Sequence, residues 1–328
     1  MASTRSWPTL TPKPSASRRD QGGAELVIET LTGHLLVAQT TSYAFSWNLP
    51  SDLGQMLSFE FMRNALEAGV VVSIVAGVVG YFVILRRTAF AAHALSHVGF
   101  AGAAGAAVVS VSPVWGLLVF CLGGAGVMGA LGQRLRERDT VIGIVLAFML
   151  GLGVLFISLY TGYATEAYSI LFGEVLGIST GEVQLTAIIG AITLVLLAAM
   201  YRPLLFASVD EEVAEARGVP TRLLAIGFMG TLALAVAVAV QVVGVLLIFS
   251  LLVTPAATAD RLTSRPATAM LVSVVTALAC TLVGLAIAFY IPVPVSVFIT
   301  SLAFGTYLVV RWAPLLRPNR PLSPGSTV

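Results

Sequence analysis

Lysine is almost missing from this chain: Lys13 is the only one in 328 residues. A phosphate-binding loop of the form G-x-x-x-x-G-K-[ST] needs a lysine behind its glycines, so ATP hydrolysis by that route is excluded. Charge of either sign is scarce as well. Asp, Glu, Lys and Arg together make up 10% of the residues, against about a quarter in a soluble domain. The net charge of +2 gives no electrostatic case for a nucleic-acid partner. Both cysteines, Cys121 and Cys280, sit inside apolar runs. That placement argues for small core residues and against a disulfide framework or a cysteine metal knuckle. The opening residues lack the apolar stretch of a cleavable signal peptide, and residues 1–23 read as a polar, disordered tail.

What is abundant is apolar side chain, 57% of the chain, with a mean hydropathy of +0.94. Runs near twenty residues cross about 30 Å of hydrocarbon as helices. Nine such runs occur, at 61–85, 90–110, 113–131, 140–160, 182–200, 223–243, 244–259, 267–290 and 295–310. The expected fold is an all-α polytopic membrane protein with about nine transmembrane helices. Residues 1–58 are expected to form a polar tail and an interfacial lead-in, 59–312 the transmembrane domain and 313–328 a cytoplasmic tail. The lead-in at 43–59 places Phe45, Trp47 and Phe59 at headgroup level.

The arginines set the orientation. They fall in alternate loops: Arg86 and Arg87; Arg134, Arg136 and Arg138; Arg202, Arg217 and Arg222; Arg261 and Arg265; Arg311, Arg317 and Arg320. Those loops hold 13 of the 18 basic residues, while the loops at 111–112, 161–181, around Val243 and at 291–294 hold none. Arginine-bearing loops are expected on the cytoplasmic side. Glu166, Glu174 and Glu182 then face outside, as a solvated loop, as groups that attract cations or as a contact for an extracytoplasmic partner.

Of three histidines, two stand four residues apart within an apolar run, in His93-Ala-Leu-Ser-His97. On a helix such positions share a face, with Cβ atoms about 5–6 Å apart. Two imidazoles so placed reach one metal ion at about 2.0–2.1 Å per nitrogen. The plainer alternative is that they hydrogen-bond Ser96 or nearby carbonyls and tie helices together. If the helix enters near Arg87, His97 lies about 15 Å deep at 1.5 Å per residue, near the bilayer midplane. Beyond it Gly99, Gly102, Gly105 and Ala106 have the small-residue spacing that lets helices approach closely. Two ligands fall short of the four that zinc usually takes. The others must come from other helices, from water or from a second copy of the chain. His34 reads as an ordinary polar residue.

Two more segments stand out. In the loop at 201–222, Ser208 is expected to cap a short helix whose first turn carries Asp210, Glu211 and Glu212. Acidic groups there suit the positive end of the helix dipole. Glu215 and Ala216 follow, Gly218 suits the C-terminal cap, and Pro220 stops continuation. This short helix is a solvated connector or a docking element for a cytoplasmic partner. In 241–259, Gly244 and Thr254-Pro255 interrupt the run, and proline removes a backbone donor inside a span. Ser250, Thr254 and Thr258 form a stripe at i, i+4, i+8 that either faces a pathway or joins helices.

Three stretches, 81–97, 210–220 and 241–259, resemble the permease subunit of the ABC-3 family, the bacterial uptake systems for zinc, manganese and iron. The resemblance runs in order from about Phe59 to Val310. It implies a permease dimer in the bacterial plasma membrane, bound to cytoplasmic ATPase subunits and fed by an extracytoplasmic metal-binding protein. It implies alternating access, with no permanently bound cofactor and Zn2+, Mn2+ or Fe2+ as the transported ion. Residues 208–220 match the coupling helix of the family, which sits in a groove of the ATPase, and His97 matches its metal-site histidine. The family usually has Asp where this chain has His93. A His/His pair is softer than Asp/His, which favours zinc over manganese. An ion-gradient-driven transporter and a non-transporting scaffold are the competing classes. Against the first stand the lack of an inverted repeat and of Asp or Glu at span midplanes, with Glu67 nearer an outer end.

Overall fold

A computed structural model describes residues 49–131, 135–160, 177–291 and 293–312. Among them every regular element is helical. The short α1 (Leu49–Ser58) leads into α2 (Glu60–Leu85), α3 (Ala89–Val108), α4 (Pro113–Leu131) and α5 (Leu135–Leu159). Then come α6 (Thr180–Val209), the short α7 (Glu211–Ala216), α8 (Thr221–Val243), α9 (Val245–Leu262), α10 (Pro266–Tyr290) and α11 (Val295–Trp312). The nine long helices coincide with the nine apolar runs. Of the described residues, only Tyr290 and Ile291 fall outside one compact unit. The expected tails and His34, Phe45, Trp47, Glu166 and Glu174 lie outside the described residues.

Seven of the nine are long and apolar enough to cross a membrane by themselves, and α3 and α9 are not among them. The reason for α3 is its composition: nine alanines, three glycines and two histidines in 20 residues. That composition fits its surroundings. Thirteen of its residues are buried, and α4, α5, α8 and α9 all pack against it. In contrast α5 turns Ile144, Phe148 and Val154 outward, each about two-thirds exposed, as a helix facing lipid must. The helix that carries both histidines is therefore one wrapped in protein.

Glycine sets the closest crossings. Gly102 of α3 and Gly116 of α4 face each other so tightly that a Cβ on either would strike the carbonyl oxygen of the other. Gly80 of α2 lies in the same way against the carbonyl of Leu252 on α9. Without a hydrophobic driving force in lipid, such backbone approach is what joins helices. Polar ties add to it: Ser73 Oγ donates to Thr281 Oγ1 at 2.8 Å between α2 and α10, and Asn64 Nδ2 donates to the Ile178 carbonyl at 3.0 Å.

Three helices end in one motif. At the end of α2, Arg87 N donates to Ile84 O and Thr88 N to Val83 O, with Arg87 in the left-handed region at φ 55°. At the end of α3, Ser110 N donates to Ala107 O and Val111 N to Ala106 O, with Ser110 at φ 56°. At the end of α7, Gly218 N donates to Glu215 O and Val219 N to Ala214 O, with Gly218 at φ 81°. This paired bonding satisfies the last carbonyls of each helix, and glycine is its unstrained residue. Only α7 uses one. The helix carrying both histidines thus hangs between two side-chain-bearing residues in a conformation that costs L-residues about 1–2 kcal/mol each.

One boundary departs from expectation. The run read as 182–200 extends as α6 to Val209, continuing past Pro203. Its start is fixed by a capping box: Ser179 N donates to Glu182 Oε2 at 2.9 Å and Glu182 N to Ser179 Oγ at 3.3 Å. Because α6 runs on, Ser208 is not the cap of the following helix. It lies in the last turn of α6, where its hydroxyl donates back to the Leu204 carbonyl at 2.5 Å. Asp210 is the cap instead, its Oδ1 accepting from Val213 N at 3.0 Å.

Candidate functional site

Helix α3 presents His93 and His97 one turn apart on one face, both half-buried. Their rings stand 4.8 Å apart between centroids and nearly perpendicular, at 86°. The plainer reading of this pair had Ser96 or nearby carbonyls engaging the rings. Ser96 Oγ instead donates to the backbone carbonyl of His93 at 2.7 Å. An arrangement of two neutral nitrogen donors at this spacing has the chemistry to share one transition-metal ion. Among the described residues, no third His, Cys, Asp or Glu joins them.

The neighbour that sequence reading missed is Phe249 of α9, whose ring meets His93 edge-on at 5.3 Å and 74°. It sits one residue before Ser250, the head of the polar stripe. So α9 does reach the pair, through an aromatic wall. Ser250 and Thr254 are half-buried, Pro255 is buried, and Thr258 Oγ1 donates to the Thr254 carbonyl at 2.8 Å.

Depth follows from the packing. Leu252 lies against Gly80, five residues from the end of α2 at Leu85. Phe249 is one turn back along α9, so His93 is roughly 12 Å from that end and His97 one turn farther, by the rise of a helix. That places His97 near the middle of the 26-residue α2.

The second set of expected residues assembles at the other end of α6. Asp210 caps α7, Glu211 and Glu212 fill its first turn, and Glu215 and Ala216 are exposed on its surface. Gly218 closes it, and Val219 packs with the buried Ala207, Ala214 and Leu224. Arg217 lies over the Phe206 ring at 5.9 Å. The result is a small acidic knob held firmly on apolar contacts.

Arg86 ties the two sets together, a residue read from sequence only as an orientation signal. It sits in the turn joining α2 to the histidine helix. Its guanidinium donates to Ser208 Oγ at 3.4 Å and lies over the Phe228 ring of α8 at 5.5 Å. Ser208, displaced as a cap, is thereby the contact between the turn that starts α3 and the helix that carries the acidic knob.

Comparison with known proteins finds the same architecture. A profile described as the ABC 3 transport family matches residues 58–313. The manganese transport system membrane protein MntC of Halalkalibacterium halodurans is 34% identical over 66% of this chain and 75% of its own length. The manganese import system permease protein ScaB of Streptococcus parasanguinis is 31% identical over 80% of this chain and 94% of its own. Among solved structures, PsaBC from Streptococcus pneumoniae in complex with Fab superposes with a TM-score of 0.73 at 30% identity. It covers 81% of this chain and 96% of that one.

Proposed function

This chain belongs to the ABC 3 transport family, and on that premise we propose that it is the permease of an ATP-driven importer carrying a divalent transition-metal ion into the bacterial cytoplasm. The observation that carries the reading is the His93–His97 pair, two imidazoles 4.8 Å apart at mid-depth on a protein-wrapped helix. Ionisable groups at that depth are expensive and mark substrate paths. The permease itself is not the enzyme. Energy comes from cytoplasmic ATPase subunits, and the ion from an extracytoplasmic metal-binding protein.

The mechanism is alternating access in a dimer of two permease copies. A twofold axis brings up to four imidazoles toward one path and supplies the ligands that a single chain lacks. ATPase closure acts on Glu211, Glu212, Glu215 and Ala216 at the surface of α7. The movement passes through α6 to Ser208, then to Arg86 and the turn that begins α3. Asp210→Ala removes the cap of α7, a loss of about 1 kcal/mol. Metal-stimulated ATPase of the assembled complex is expected to fall severalfold while the melting temperature drops by only about 2–4 °C, because the lost cap is local to α7.

Two readings of the metal are supported by different observations. The paired imidazoles favour zinc, a softer choice than carboxylate–imidazole. Similarity to MntC and ScaB, named for manganese, favours manganese. The experiment is uptake of both metals in cells lacking their own systems, supplied with this permease, its ATPase and its binding protein. With His93→Asp, zinc uptake is expected to fall and manganese uptake to rise, changing their ratio about tenfold, the equivalent of roughly 1.4 kcal/mol. Identical ratios for the two versions put selectivity in the binding protein.

A further inference from the structure

Beyond the histidine pair lies a second feature built for a cation. A cavity of about 110 Å3 opens where the end of α8 meets the starts of α4 and α6. Its lining includes Ser112, Pro113, Glu182 and the last turn of α8 at Val240, Gln241 and Val242. Ala103 of α3 forms another wall, six residues beyond His97, or roughly 9 Å along the helix. By the distribution of arginines this is the extracytoplasmic side. The volume far exceeds the ~10–15 Å3 that a single water needs.

The starts of α4 and α6 bring positive helix ends to the cavity, and three features set negative or polar groups against them. At the end of α8 Val240 O accepts from Gly244 N at 2.9 Å, and Gly244, at φ 82°, leads into α9 after a single residue. That end of α8 carries the negative pole of its dipole. Glu182 adds a carboxylate held by Ser179, and both Ser179 bonds fall on Oε2, so Oε1 keeps its lone pairs. Finally, Gln241 lines the cavity, yet its Nε2 and Oε1 are closed off from solvent and have no hydrogen-bond partner. An orphaned buried amide costs about 1–3 kcal/mol. A cation or its bound water within reach of this amide would relieve that cost.

We infer that this cavity is a receiving site for a hydrated divalent cation, held by the Glu182 carboxylate, the Ser112 hydroxyl, the Gln241 amide oxygen and the carbonyls that end α8. The inference rests on the transport reading above and adds a stage before the histidines. Every donor here is oxygen, the set that suits hard, water-retaining ions such as Mn2+. The histidine pair is softer. An ion therefore meets an oxygen site first and exchanges its water for imidazole roughly 9 Å farther in.

The test uses the purified full chain with His93→Ala and His97→Ala together, so that the pair is silent, and Mn2+ followed by electron paramagnetic resonance. Mn2+ is expected to remain bound, and Glu182→Gln or Gln241→Met is expected to weaken that binding about tenfold or more. Glu182→Gln keeps the capping box and Gln241→Met removes the orphaned amide, so neither lowers the melting temperature. In the assembled transporter with its histidines intact, the same two changes raise KM for Mn2+ with kcat unchanged, the mark of lost ground-state binding. No Mn2+ bound to the double-alanine chain, or binding indifferent to both changes, overturns the receiving site. Failure of the transport reading itself is read elsewhere, as no uptake of either metal by the unaltered permease assembled with its ATPase and binding protein.

Discussion

His97→Ala is expected to bring metal-stimulated ATPase activity of the assembled complex down to its unstimulated rate and to cut uptake by at least about a hundredfold. That figure is the upper end of what losing a mere outer-sphere partner of a metal ligand costs, and His97 is read as a ligand. The ring is half-buried and meets His93 only edge-on, so little packing goes with it. Alanine is also the best helix former, and α3 already carries nine. The melting temperature should therefore stay where it is while transport collapses. If uptake and stimulation survive, the pair is a structural contact and the transport path lies elsewhere. Uptake by the chain alone in vesicles without ATPase would instead revive an ion-gradient mechanism.

A large effect on stability is expected at Gly102. A valine there would set Cβ against the carbonyl oxygen of Gly116 and the Cβ of Phe120. Backbone cannot swing aside as a side chain does, so α3 and α4 must separate. We expect a loss of about 3 kcal/mol or more, at or beyond the upper range of overpacked cores. Gly123→Val on α4 is the control, since a Cβ there meets nothing within 4 Å. Its effect should stay within about 0.5 kcal/mol, as for ordinary surface changes. Equal melting curves for the two variants would mean that the α3–α4 crossing is looser than described. Because the displaced helix carries both histidines, Gly102→Val should also reduce uptake beyond its effect on folding.

Hydropathy made the nine long helices readable, because a span must be apolar over a fixed length whatever it packs against. It also placed the histidines, since period and depth follow from counting residues. What counting missed came from three dimensions. Ser208 and Asp210 are both good caps, and the choice between them was made by α6 continuing past Pro203 and absorbing the serine. A proline inside a run reads locally as a stop, yet neighbouring helices hold the ladder around it. Phe249 was one phenylalanine among 16 until α9 packed beside α3. Arg86 carried an orientation signal that hid its contact with Ser208, a residue 122 positions away. The cavity at Gln241 had no sequence signature, because it is made where three helix ends converge.

The composition of α3 also bears on how the protein enters its membrane. With nine alanines, three glycines and two histidines in 20 residues, α3 gains less than its neighbours by partitioning into lipid, and each histidine opposes it. Its neighbours α2 and α4 are apolar enough to go first. The histidine helix is then best inserted as a passenger, drawn in when Gly102 meets Gly116 and the α3–α4 hairpin closes. Biogenesis and transport thus make opposite demands on one 20-residue stretch, and the hairpin partner is what reconciles them.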